Sequence, residues 1–191
     1  LTRSREEMVE DVLARVCFMI TMTMVTGSIS NERALATIEP NAKLLDAARK
    51  AGVPVIFCND SHVKGVDYEF KLWGEHAVTG TKGAQVIDEL KVSEGDYIIE
   101  KRRYSAFFQT NLDMLLRELG VDTLIITGLW IHLCVRQTTV DGFCHGYKIV
   151  MPKDATNAFT QEEYDYSIQF LVGACGAEIT DVDTIIAGWN N

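Results

Sequence analysis

The sequence predicts a three-layer α/β/α sandwich around a central, mostly parallel sheet of about six strands. Three observations support this reading. Strand and helix patterns alternate along the 191-residue chain. The strands that read as central are continuous apolar runs instead of alternating ones, as expected when both faces of a parallel sheet are covered. The intervening helices suit right-handed crossovers that stack them on the two faces.

Glu6–Ala14 reads as a short amphipathic helix, and Arg15–Thr21 (RVCFMIT) as the first buried strand. Asn31–Ala51 reads as one long helix, with a stripe at positions 34, 35, 38, 41, 44, 45 and 48 near the 3.6 period. Gly52 ends it, and Val53–Cys58 is the second strand. Asn59–Lys82 is irregular and rich in Gly and aromatics, and Gly83–Leu90 holds a short helix. Asp96–Glu100 is the third strand, Thr110–Leu119 a helix stopped by Gly120, and Val121–Thr127 the fourth strand. Cys134–His145 is a helix, Tyr147–Val150 the fifth strand and Gln161–Cys175 a helix. Glu178–Thr180 is a short sixth strand, and the tail Val182–Gly188 is helical.

The length suits one domain, residues 1–191, with a substantial core. The net charge of −9 argues against nucleic-acid or anionic-membrane partners. No apolar run reaches the ~18 residues of a membrane span, and no charged-then-apolar leader is expected. Five cysteines without a C-x-x-C pair suggest reduced thiols in a cytoplasmic setting.

In such a sheet, ligands bind at the carboxyl ends of the strands where the strand order reverses. Those ends fall near Met22, Cys58–His62, Lys101 and Gly128–Cys134. Cys134 is the most informative residue. A buried strand, Asp122–Thr127, runs into a short loop that delivers a thiol to the first turn of a helix. A helix N-terminus carries partial positive charge and unpaired N–H groups. Both favour the thiolate, which is the nucleophile, and the N–H groups can hold an oxyanion. Lys101 follows the strand DYIIE and is placed to steady an anion or lower the thiol pKa; the run Lys101–Arg103 also reads as a surface basic cluster. Asp60 and His62 (NDSH), with His76 from the long loop, suit a divalent metal such as zinc with open positions. The alternative for these three is a turn with loop histidines.

The segments VPVIFCNDSH, LWGEHAVTGTKGA, YIIEKRRYSAFFQTNLDMLLRELGVDTLIITG and LCVRQTTVDGFCHGYKIVMPKDAT resemble the isochorismatase-like cysteine hydrolases. That family includes nicotinamidases and N-carbamoylsarcosine amidases. The resemblance implies a small-molecule substrate and a homo-oligomer. It implies a cysteine that attacks an amide or related carbonyl, an aspartate that accepts its proton and an assisting lysine. Cys134 matches the nucleophile and Lys101 the lysine, with a cis peptide near Leu129–Trp130. Asp60, His62 and His76 match the metal positions of the nicotinamidase branch; other branches need no cofactor.

Two departures stand out. The family's first strand ends in a pattern like D-M-x-N-D-F, whose first aspartate is catalytic. Here that position is Met19 or Thr21, depending on the alignment, and no Asp or Glu occurs between Asp11 and Glu32. Before the nucleophile, G-L-x-T-D-x-C-V becomes Gly128-Leu129-Trp130-Ile131-His132-Leu133-Cys134-Val135. His132 thus stands two residues from the thiol, and an imidazole titrating near ~6.5 can serve as a general base. His132 also reads as a solvent-facing or capping residue. His145 lies ~16 Å farther along the helix and is excluded as the base unless that helix is broken, whereas His62 and His76 are placed to face the pocket from the other side.

Trp130 and Ile131 are expected to wall a greasier pocket, with Met19, Thr21, Met22 and Met24 opposite. Such a pocket suits an aromatic or acyl ester, though the changes also read as core repacking. Their concentration at one place suggests a remodelled active site, by design or in a divergent paralogue. The remaining cysteines read as core or incidental, with Cys58 at the pocket edge. Three functions follow: an esterase working through a Cys134 thioester with His132 as base, an amidase of the nicotinamidase type, and a catalytically dead scaffold.

Overall fold

The computed structural model describes residues 16–21 and 32–189. The expected helix at Glu6–Ala14 lies outside them, as do Met22 and Met24. Among the described residues, a parallel sheet is built from β1 (Val16–Thr21), β2 (Val55–Asp60), β3 (Tyr97–Lys101), β4 (Thr123–Leu129), β5 (Lys148–Pro152), β6 (Thr156–Asn157) and β7 (Glu178–Thr180). Its order is β3-β2-β1-β4-β5-β7, with β6 against β4. This is the expected α/β sandwich, with the short β6 as an addition to the predicted strands. The order reverses between β1 and β4, so the crevice of such a sheet opens beyond their carboxyl ends.

The sheet is covered on both faces, as its apolar runs require. Ile56 and Cys58 of β2 join Leu124 and Ile126 of β4 in one cluster. The intervening Val55, Phe57 and Ile125 join the cluster on the other face. The strands outlast their apolar runs. β2 and β4 each end two residues beyond the predicted limit, because polar and glycine residues still pair: Asn59 with Glu100, Asp60 with Lys101, and Gly128 with Thr156.

The long helix expected over Asn31–Ala51 is two helices, α1 (Glu32–Leu35) and α2 (Ile38–Lys50). Pro40 is the reason. It sits in the first turn of α2, where a missing N–H is tolerated, and in a continuous helix it would leave the Ala36 carbonyl without its partner and clash with it. Position 41 of the predicted stripe is Asn41, fully buried. Its amide donates to the Thr37 and Ala155 carbonyls at 2.7 and 2.9 Å, and its oxygen accepts from the Thr127 hydroxyl at 2.6 Å. α3 (Phe70–Trp73) and two 3-10 turns (Lys82–Ala84 and Asp88–Leu90) interrupt the long β2–β3 connection. The remaining helices are α4 (Leu112–Glu118), α5 (Arg136–Cys144), α6 (Gln161–Cys175) and α7 (Val182–Trp189). A π-helical turn, Ile131–Val135, precedes α5. No described helix is long and apolar enough to cross a membrane.

Candidate active site

Three strand ends deliver three groups to one place. Asp60 closes β2 and Lys101 closes β3, and the two are register partners, so their side chains emerge on the same face of the sheet. β4 continues through a cis peptide at Leu129–Trp130, where one was expected, into the π-helical turn that carries Cys134. Lys101 Nζ hydrogen-bonds Asp60 Oδ1, donates to the Arg103 carbonyl at 3.2 Å and lies 3.5 Å from Cys134 Sγ.

Lys101 is 1% exposed, which removes it from any surface basic cluster. Burial alone would discharge it, but Asp60 and the sulfur outweigh burial and hold its pKa above the usual lysine value. The thiol does not behave as its place at a helix start suggests. Burial pushes Cys134 up to about 12; Lys101 pulls it down, while Asp60 and Glu69 add to the rise. The ammonium's pull does not outweigh burial, and the carboxylate that shares it adds to the rise. Cys58 is also pushed up to about 12 by burial and is fully buried in the core, not at a pocket edge.

Among the described residues no hydrogen bond joins His132, the expected base, to this thiol. Its ring packs edge-on against Phe159 at 4.6 Å, with Trp130 at 6.4 Å, and it feels the charge of Glu163 at the start of α6. Its Nδ1 is buried without a hydrogen bond, and burial lowers its pKa. A tight helical turn sends residues i and i+2 in different directions, and this one sends the imidazole toward α6. Ile131 does not line an open pocket, because it has no exposed surface and belongs to the core. Trp130 is half-buried against Phe159, 4.7 Å between ring centres. Met19 and Thr21 fall on β1, where Met19 pairs with Ile56 and Ile126, and Thr21 with Gly128.

A second cluster adjoins the first. His62, Glu69 and His76 bring ligand atoms within 4.8 Å of one another. His62 Nε2 lies 3.7 Å from Glu69 Oε2, and the two imidazoles are 4.6 Å apart. The loop folds back to make this possible, with the His62 N–H on the Ala77 carbonyl and the Thr79 N–H on that of His62. His62 and His76 thus meet as expected. Asp60 turns to Lys101, and Glu69 takes the third corner. Glu69 was missed because it stands in an irregular loop with no local pattern. The acidic residue seven positions before His76, on the same long connection, was the available signal.

The donor set fits a divalent cation of the zinc type. His62 Nε2 is buried without a partner, and burial keeps the ring neutral, which a nitrogen ligand requires. Two nitrogens and a carboxylate oxygen, with room for further ligands, suit such an ion.

A half-buried thiol, a buried ammonium and a carboxylate thus meet at the carboxyl edge of a parallel sheet. The Isochorismatase domain model matches residues 11–184, and the chain belongs to this family of hydrolases. Ureidoacrylate amidohydrolase of Yersinia enterocolitica is 33% identical over 176 residues, covering 79% of this chain and 75% of that protein. The crystal structure of N-carbamoylsarcosine amidase from Thermoplasma acidophilum superposes with a TM-score of 0.80 at 35% identity, covering 88% of this chain and 96% of that one. Pyrazinamidase/nicotinamidase from Streptococcus mutans gives 0.79 at 28% identity, covering 85% and 99%.

Proposed function

We propose that this chain is a cysteine hydrolase that opens activated esters through an acyl-Cys134 thioester. The observation that carries the reading is the 3.5 Å contact of Cys134 Sγ with a buried Lys101 that also holds Asp60. Asp60 replaces the acid missing from β1, and it replaces His132 as the base. As Sγ bonds to the carbonyl carbon, its proton leaves toward Asp60, the carboxylate sharing the Lys101 ammonium. The carbonyl oxygen takes the electron pair, facing N–H groups at the start of the helical stretch. The alkoxide then departs, leaving the thioester, and water cleaves that to the acid and returns the thiol.

Esters suit this site because their leaving group departs as an anion. An amide nitrogen must be protonated to leave, which requires Asp60 to hand on the proton it has just taken from the thiol. Amide hydrolysis is the second reading, favoured by the names of the amidohydrolase and amidase relatives. His62, Glu69 and His76 would hold a divalent cation. Bound there, it supplies Lewis-acid polarisation and orientation of a substrate atom. The test is acylation by an aryl ester, read as a product burst and as an adduct on Cys134 by intact-protein mass spectrometry. Cys134→Ala should lose both, whereas an undiminished burst in that variant would refute the proposal.

A further inference from the structure

Asp67 lies outside the thiol chemistry, yet its side chain is fully buried and saturated with donors. Oδ1 takes the Arg102 guanidinium, with Nε at 2.8 Å, and has Arg103 at 3.5 Å. Oδ2 accepts the Val63 N–H at 2.6 Å and faces His62 Nδ1 at 3.3 Å. A carboxylate only accepts, so the His62 proton sits on Nδ1 and the lone pair on Nε2, the nitrogen that faces Glu69. His76 has the same arrangement. Its Nδ1 lies 2.8 Å from the Gly74 carbonyl, which leaves its Nε2 as the ligand nitrogen.

We propose that Asp67 is the positioning residue of a divalent-cation site, fixing the tautomer and ring orientation of His62 while Arg102 holds the carboxylate in place. The inference rests on the reading that His62, Glu69 and His76 hold a cation, and it is independent of the ester chemistry. Metal-bound histidines characteristically donate their second ring N–H to a carboxylate or carbonyl, and loss of that partner typically costs about 10–100-fold in metal affinity. Val63 and Arg102 both require an oxygen on this side chain. An asparagine has a single oxygen, and whichever donor claims it, the charge-assisted bond to His62 is weakened.

The test is zinc affinity of the full chain, measured by competition with a chromogenic chelator, for the parent, Asp67→Asn and Arg102→Gln. Asp67→Asn should weaken zinc binding by about 10–100-fold, and Arg102→Gln should weaken it less, because the His62 contact survives. Equal affinity in the parent and Asp67→Asn overturns the proposal alone; a parent that does not bind zinc overturns the cation reading and the proposal together. Should Asp67→Asn fail to fold, nitrogen-15 imidazole spectra of the parent decide, with His62 assigned by comparison with His62→Gln. Protonated Nδ1, with Nε2 shifting on zinc addition, is the expected result; protonated Nε2 refutes it.

Discussion

Cys134 and Lys101 lie 3.5 Å apart, yet the pull of the ammonium on the sulfur is outweighed by burial and opposed by Asp60, which shares that ammonium. Asp60→Asn should therefore have effects of opposite sign. Freed of its carboxylate, Lys101 lowers the thiol pKa, and iodoacetamide should alkylate Cys134 faster at pH 8. Ester turnover should fall by roughly 10²–10⁴-fold, the usual contribution of a general base. In the parent, the pKa is raised to about 12, so the protonated thiol dominates below that value. Alkylation should keep rising with pH and show no plateau near the ordinary cysteine value. A plateau below pH 9 would contradict this account. His132→Phe should leave the acylation burst unchanged and leave stability equal or higher in thermal melts, because it removes a buried nitrogen that has no partner. Cys134 and Lys101 were legible in the sequence because each follows a strand end that its apolar run marks. The direction of His132 was not, since adjacency in sequence says nothing about where a side chain points within a π-helical turn.

Among the elements, α6 matched its sequence limits. Thr160 and Glu163 form a capping box, and Gly176 closes the helix in the left-handed region, so both ends are written in local chemistry. Thr160→Ala should cost about 1 kcal/mol in denaturant unfolding. α1 and α2 were read as one helix because the stripe continues through the break, while the signal to stop was the single residue Pro40. Asn41 shows what periodicity omits. It occupies a core position and fastens α2 to β4 and to the loop before β6 by two hydrogen bonds, with a third back to Thr37 at the start of its own helix. Asn41→Leu keeps the size but strands those partners, and should destabilise by about 1–3 kcal/mol. The cation cluster was half legible. Its histidines flank a loop whose return, set by long-range bonds at Ala77 and Thr79, brings in Glu69.

Over the whole molecule, acid should disrupt the loop around Asp67 before it disturbs the sheet. Burial works to raise the Asp67 pKa, but the Arg102 hydrogen bonds and charge and the Val63 N–H outweigh it and hold it at about 2. The folded value lies below the ~3.9 of an unfolded aspartate. This group's stabilisation is therefore complete above about pH 4 and is lost as the pH falls toward 2. Arg102→Gln should shift the acid transition, followed by circular dichroism, to higher pH; an unchanged midpoint would show that the ion pair does not set it.

Asp60 and Lys101 are 41 residues apart and Lys101 and Cys134 are 33 apart, and the three meet only because parallel strands return to a common edge. Parallel neighbours cannot form from a local hairpin, so the entropy of closing long connections must be overcome before these side chains touch. The chemical state of the sulfur is thus a clock for refolding. Brief pulses of alkylating reagent during refolding should label Cys134 readily at first, and protection should appear only when the β3 edge has docked.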